Sequence, residues 1–225
     1  MYAKYLKRLF DLVASFCALL VLSPVLLVLS VVGAIRMKGN PFFTQLRPGK
    51  GERIFRLIKF RSMTLETDVN GQPLPDEERL TNYGKFLRSS SLDELPELIN
   101  ILIGDMSLIG PRPLLVRDMV FMTAEQRRRH TVRPGLTGLA QSNGRNGLSW
   151  DNKLAFDLDY ISRITFWGDI KILLRTVVSV LKKEGINEDG MATAADLGDY
   201  LLHIGRIDKL TYTTCQAQAE EMMKG

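Results

Sequence analysis

The chain has 225 residues, 45% hydrophobic and 24% charged, with a net charge of +5. That is an ordinary globular balance, long enough for one domain or one domain with an appendage. Two cysteines, Cys17 and Cys215, and two histidines, His130 and His203, stand too far apart for a disulfide framework, a zinc centre or a His-rich site. A metal, if used, would take oxygen ligands, which favours magnesium or manganese. The basic excess calls for anionic partners: nucleic acid, anionic lipid or phosphorylated substrates.

Residues 12–35 carry no charge. As a helix they would extend about 36 Å at ~1.5 Å per residue, enough for a bilayer core of ~30 Å. A signal peptide fits poorly, because its apolar core would be shorter and a small-x-small cleavage site is not evident. Lys4, Lys7 and Arg8 precede the segment, and Arg36, Lys38, Arg47 and Lys50 follow it. Basic residues on both sides place both flanks in the cytoplasm. Ser23-Pro24 lies at the middle, where proline removes a backbone donor and the serine hydroxyl can serve the freed carbonyl. Each arm would span about 18 Å, roughly half a bilayer. The residues alone allow a helix that enters, breaks and returns, or a kinked spanning helix.

Residues 41–45 and 54–60 are short aromatic and β-branched runs around the turn-rich Arg47-Pro48-Gly49-Lys50-Gly51, which predicts a β-hairpin. A polar loop over 64–76 precedes helices over 77–88 and 92–103, the second with Leu95, Leu98, Ile99 and Leu102 on one face. Gly110-Pro111-Arg112-Pro113 is a rigid turn, 123–129 a short basic helix, and 133–147 a glycine-rich loop. Helices follow over 150–161 and 167–183. The second bears an apolar stripe of Ile170, Leu173, Leu174, Val177, Val178 and Leu181. That stripe suits packing against a core, the preferred reading from pattern alone, or a membrane interface. Residues 194–204 form a further helix in a weakly patterned tail.

Ser91-Leu92-Asp93-Glu94-Leu95-Pro96 is the densest polar constellation. Ser91 and Glu94 have capping-box spacing. The same helix N-terminus would keep Asp93 ionised and attract phosphate, and an ionised carboxylate can attack a phosphoryl group. Lys59, Arg61, Lys85, Arg88, Arg112 and Arg145 are isolated cations in apolar or Gly/Pro context. Each alone reads as a surface charge; together they suit a phosphate-rich site, for which the arginine fork is apt. Arg127-Arg128-Arg129 reads equally as a solvated helix face or a patch for anionic headgroups.

The motifs occur in a telling order: Phe43-Thr44-Gln45 with Arg47-Pro48-Gly49; Lys59-Phe60-Arg61-Ser62-Met63; Leu87-Arg88 with the Asp93-Glu94 run; Gly104-Asp105-Met106-Ser107 before Gly110-Pro111-Arg112-Pro113. Arg133-Pro134-Gly135-Leu136-Thr137-Gly138 then precedes Gln141 and Asn143-Gly144-Arg145, with Asp157 and Tyr160 before the last long helix. Over about residues 1–190 this order resembles the bacterial sugar transferase family, the small monotopic phosphoglycosyl transferases.

The resemblance implies an α+β, mostly helical fold. Residues 1–38 would form a re-entrant membrane helix broken at Ser23-Pro24. Residues 39–186 would form a catalytic domain with a β-hairpin and amphipathic interface helices at the cytoplasmic face of the bacterial inner membrane. Residues 187–225 would be a tail of unknown role. It further implies transfer of a sugar-1-phosphate from a UDP-sugar to polyprenyl (undecaprenyl) phosphate with release of UMP, the first membrane step of glycan assembly. Asp93 would be nucleophile and magnesium ligand and Glu94 its dyad partner. Lys59, Arg88, Arg112 and Arg145 would bind phosphate, with Asp157 at the nucleotide or in a supporting ion pair. Membrane lipid is a partner, a homo-oligomer is open, and nucleic acid is not expected. Ile103, Leu139 and Ser142 depart from the family's commoner residues without touching the dyad. Two rival classes are a magnesium-dependent phosphohydrolase that uses Asp93 with water as acceptor, and a non-enzymatic membrane adaptor.

Overall fold

A computed structural model describes residues 2–144, 147–182 and 195–224. Among these the chain is mostly helical, with two small two-stranded sheets. A π-helical turn, Tyr2–Leu6, runs into the thirty-residue α1, Lys7–Arg36. Together they are long and apolar enough to cross a membrane, and 11% of the most apolar window is buried. The helix continues through Pro24 rather than separating into two helices at Ser23-Pro24 as expected. A local reason is visible. Proline leaves the carbonyl four residues back without its donor, and the Ser23 hydroxyl donates to that carbonyl, on Leu20, at 2.8 Å.

Helix α1 is pinned at both ends. The Lys7 ammonium meets the Asp169 carboxylate at 2.6 Å. Tyr2 and Tyr160 donate their hydroxyls to the same carboxylate at 2.7 and 2.9 Å. Arg8 donates to the Ile101 and Leu102 carbonyls, and the Asp11 carboxylate accepts from the Leu108 N–H at 3.0 Å. Phe10, Ala14, Ala18, Leu19 and Leu22 then pack on the main core around Phe55, Leu57, Leu98, Ile101, Met106 and Ile109. Near the other end Leu29 joins Phe60 and Leu87 in a second cluster, and its carbonyl accepts from the Tyr83 hydroxyl at 2.8 Å.

The hairpin forms as expected but is longer. Strand β1, Phe42–Pro48, pairs antiparallel with β2, Ile54–Phe60, from Phe42 opposite Phe60 to Pro48 opposite Ile54. The helix expected over 77–88 divides into α2, Asp76–Arg79, and α3, Asn82–Ser90. Leu80 is extended between them and bridges to Met63, and Thr81 caps α3 by accepting from the Gly84 N–H at 3.0 Å. Gly84 lets α3 seat on the chain after β2; a Cβ there would lie 1.8 Å from the Ser62 carbonyl oxygen.

Helix α4 is Glu97–Ile103, starting five residues later than expected. Strand β3, Ser107–Ile109, pairs in parallel with β4, Gly135–Thr137, inside what the sequence presents as a glycine-rich loop. The strands approach so closely that a Cβ on Gly135 would lie 2.1 Å from the Gly110 nitrogen. Short helices α5, Val116–Met119, α6, Ala124–Arg127, and α7, Leu139–Ser142, lead to α8, Trp150–Ser162, and α9, Phe166–Leu181.

Helix α9 directs Asp169 and Ile172 inward, and its Thr176 hydroxyl meets that of Thr137 on β4 at 2.6 Å. Its opposite face is apolar and bare: Trp167 is 77% exposed and Leu174 62%, beside exposed Val177 and Val178. Core packing, preferred from pattern alone, does not hold for that face. The tail forms α10, Leu197–His203, and α11, Lys209–Lys224. Ala219 and Met222 pack on Val116, Met119, Leu46 and Ile54, so helix α11 covers the hairpin and α5; the sequence pattern does not reveal it.

Removing the Asp169 carboxylate strands a buried ammonium and the Tyr2 hydroxyl. Breaking a buried pair costs roughly 3–5 kcal/mol. Asp169→Ala therefore lowers the Tm of the detergent-purified protein by about 10 °C; an unchanged Tm would show that α1 is held elsewhere.

Candidate active site

The site forms where one turn cannot continue as helix. Ser91 ends α3 with φ of +56°, a left-handed conformation that non-glycine residues rarely adopt. A 3-10 turn, Leu92–Glu94, follows, and Pro96 precedes α4. The predicted capping box is absent, since Ser91 makes no side-chain cap bond. A left-handed Ser91 lacks N-cap geometry, and the Glu94 carboxylate is engaged elsewhere. Leu92 and Leu95 pack on the cluster of Leu29, Phe60 and Leu87, which anchors the turn on either side of Asp93 and Glu94.

Three segments bring positive charge to this turn. Lys59, from β2, reaches Glu94 Oε1 at 2.8 Å and Glu97 Oε1 at 3.1 Å. Arg112, from the turn after β3, reaches Glu94 Oε1 at 3.0 Å. Arg88, on the last turn of α3, donates from Nε to the Ser62 hydroxyl at 3.1 Å.

The two adjacent carboxylates are driven apart in acidity. Burial works to raise Glu94, but the charges of Lys59 and Arg112 outweigh it and hold it well below the usual carboxylate range. Burial, with the adjacent Glu94 charge, pushes Asp93 up to about 6 against Lys59, Arg112 and Arg88. The expected lowering of Asp93 by a helix N-terminus is therefore reversed, since α4 begins only at Glu97. Glu97 is pushed up to about 7, by burial first and by Glu94, against Lys59. Carboxylates so divided have different work available to them.

Of the predicted residues, Asp93, Glu94, Lys59, Arg88 and Arg112 come together. Arg145 lies outside the described residues. Asp157 stands in the supporting ion pair rather than on the phosphate side. Its Oδ2 accepts from Arg129 Nε and Nη2 at 2.9 and 2.7 Å, with both side chains buried. Arg129 also donates to the Arg112 carbonyl, while Arg47 donates to the Pro113 carbonyl at 3.1 Å and to Gln45. Two successive carbonyls of the Arg112 turn are thus gripped by arginines. The reading of 127–129 as a lipid patch or solvated face fails for Arg129, and Arg127 and Arg128 pair with Glu52 and Glu125.

Sequence reasoning missed Glu97, Arg129 and Arg47 as site components. Glu97 had a legible signal, an acidic residue one helical turn after Asp93 amid apolar neighbours. Arg129 had none that separates it from Arg127 and Arg128.

Residues 2–183 match the family described as bacterial sugar transferase. The chain is 49% identical over 191 residues to the uncharacterized sugar transferase EpsL of Bacillus subtilis, covering 84% of this chain and 94% of that one. It is 39% identical over 186 residues to a UDP-glucose:undecaprenyl-phosphate glucose-1-phosphate transferase of Xanthomonas campestris, covering 78% of this chain and 38% of that one. It is 34% identical over 200 residues to the undecaprenyl-phosphate galactose phosphotransferase of Salmonella typhimurium, covering 81% and 42%. The chain thus spans well under half the length of these two longer relatives.

Asp157 reaches the site through Arg129 and the Arg112 carbonyl. Asp157→Ala should lower transferase activity on the order of 100-fold, the effect of misplacing a charged group by about 1 Å. In an Arg112→Ala background it should add little. Additive losses in the double variant would show that Asp157 acts by another route.

Proposed function

The chain belongs to the bacterial sugar transferase family, and we propose that it moves a sugar-1-phosphate from a UDP-sugar to polyprenyl phosphate, with Asp93 as nucleophile. The observation that carries this reading is the division of labour between neighbouring carboxylates. Lys59 and Arg112 hold Glu94 ionised well below the usual carboxylate range, whereas the half-buried Asp93 is pushed up to about 6 and is still ionised at neutral pH. The names of the Xanthomonas and Salmonella relatives, with UDP-glucose, galactose and undecaprenyl phosphate in them, support the donor and acceptor classes.

In the first step an Asp93 oxygen attacks the β-phosphorus of the UDP-sugar. The bond from that phosphorus to the bridging oxygen breaks, and UMP departs with the electron pair. In the second step a phosphate oxygen of polyprenyl phosphate attacks the same phosphorus, expelling the Asp93 carboxylate and leaving a polyprenyl-diphosphate sugar. Little covalent chemistry is asked of the protein beyond the nucleophile; positioning and charge compensation do the rest. Arg112 and Arg88 present forks suited to phosphate oxygens. Two of the three Lys59 donors are taken by Glu94 and Glu97, which leaves one for substrate. A carboxylate beside a diphosphate suits magnesium, which is commonly held by one or two carboxylates and substrate oxygens. Magnesium bound at Asp93 would offset the diphosphate charge.

The helix supports a site at the cytoplasmic membrane surface. A straight helix of thirty residues would be about 45 Å long, yet the first and last turns of α1 both contact the catalytic domain. A spanning course would carry one end away across the bilayer. Both flanks on one side suit a re-entrant course, for which Ser23-Pro24 would be the place to bend. The bare apolar face of α9, bordered by Lys171 and Arg175, suits the headgroup boundary.

Mass spectrometry of the intact protein mixed with UDP-sugars and magnesium, without acceptor, tests the covalent step. A gain of one phosphosugar, absent in Asp93→Asn, is expected. UMP release with polyprenyl phosphate but no adduct with the same donor would replace the covalent route by direct transfer. The pH dependence follows from Asp93. The reactive form is the carboxylate and its acidity lies at about 6, so adduct formation falls as pH drops through about 6. A rate that held until about pH 4 would remove Asp93 from this role.

A further inference from the structure

We infer that Glu97 is a positioning residue for the transfer, holding the Lys59 ammonium in register with Glu94 and Asp93 without itself touching substrate. The inference rests on the transferase reading above. Lysine is a point charge on a flexible four-carbon stem, and a single carboxylate partner leaves it room to swing. Here the ammonium is bridged by two carboxylates, Glu94 Oε1 at 2.8 Å and Glu97 Oε1 at 3.1 Å. Glu97 is the deeper of the two, its side chain 3% exposed against 20% for Glu94. It thus grips the lysine from the interior side, whereas Glu94 is shared with Arg112.

The spacing of the clamp is built into the fold. Glu97 opens α4 and Lys59 lies on β2. One turn further along α4, Asn100 accepts from the Ile58 N–H at 3.0 Å and donates to the Arg56 carbonyl at 2.8 Å. Asn100 is fully buried. Helix and strand are therefore bolted together by a side-chain amide three residues from Glu97, on the same helical face. The Glu97 carboxylate is delivered to Lys59 by that joint rather than by a mobile contact. Burying a third carboxylate here is costly unless it is paired, and its partner, Lys59, is itself one of the residues that faces the reacting phosphate.

The test is steady-state UMP release by the purified full-length protein in detergent. UDP-glucose, UDP-galactose and UDP-N-acetylglucosamine serve as donors, with undecaprenyl phosphate and magnesium. Glu97→Leu, a buried apolar replacement, should lower kcat on the order of 10- to 100-fold with the KM for donor changed less than about threefold. Glu97→Gln, which keeps an oxygen acceptor for Lys59, should recover most of that loss. In a Lys59→Met background Glu97→Leu should cost less than about threefold more. Thermal unfolding of each variant confirms that it is folded. Wild-type kcat in Glu97→Leu, or an equal loss with and without Lys59, overturns the inference. Absence of UMP from the wild-type protein with every donor instead overturns the transferase reading, and the inference with it.

Discussion

Asp169 is buried under the first turn of the apolar helix, and much of the molecule is arranged around that carboxylate. It joins the Lys7 ammonium to the hydroxyls of Tyr2 and Tyr160. The Tyr160 hydroxyl also donates to the Ile109 carbonyl on β3, and the next strand residue back, Leu108, is bound by Asp11. The apolar helix α1, helix α9 and strand β3 thus meet in one buried polar network. Such networks favour a single arrangement because each unpaired member is costly in a low-dielectric interior. Strand β3 leads directly into the turn that carries Arg112. The height of the active site relative to the apolar helix therefore follows from this joint.

A second network governs the chemistry. Lys59, Arg88 and Arg112 come from three separate elements and converge on a turn holding Asp93 and Glu94. Neither carboxylate's behaviour is intrinsic. Glu94 stays ionised because two cations touch it, and Asp93 is raised by burial and by the Glu94 charge beside it. The Arg112 turn is stiffened by Pro111 and Pro113 and by Arg129 and Arg47, so its guanidinium keeps its place without a partner on every donor. This is preorganisation in the sense that matters for phosphoryl transfer, charge placed before the reaction begins.

The two networks suit a reaction between a water-soluble donor and a lipid-borne acceptor. The bare faces of α1 and α9 share no core with the rest of the molecule, whereas their inward faces are tied to β3, β4 and α4. The turn holding Asp93 and Glu94, fixed to those elements, keeps a constant distance from an apolar surface. The tail adds to this frame. Leu197 N–H donates to Asp118 at the start of α10, and Asp118 also accepts from the Leu115 N–H, so the tail braces the segment that follows the Arg112 turn.

Much was legible in the chain itself. The uncharged run 12–35, its basic flanks, the hairpin, helices α8 and α9 and the ordered motifs around Asp93-Glu94 depend on local pattern and composition, which a linear reading detects. Ser23 serving the Leu20 carbonyl was legible for the same reason, since both lie within one helical turn. Other features were hidden because they depend on residues far apart in sequence. The three-residue strands β3 and β4 are too short for periodicity and exist because two backbones meet. Arg129 is indistinguishable from its neighbours until Asp157 is folded against it. Asp93 was expected to be acidified by a helix start, and tertiary burial beside Glu94 reversed that. By itself the sequence determined the long apolar segment, most element types and the charged residues that gather around Asp93 and Glu94, because these are properties of side chains and short-range pattern. Only the tertiary structure decided which carboxylate is committed, which arginine is structural and which face of α9 stays bare, because charge, burial and packing are set by neighbours that the chain brings together only on folding.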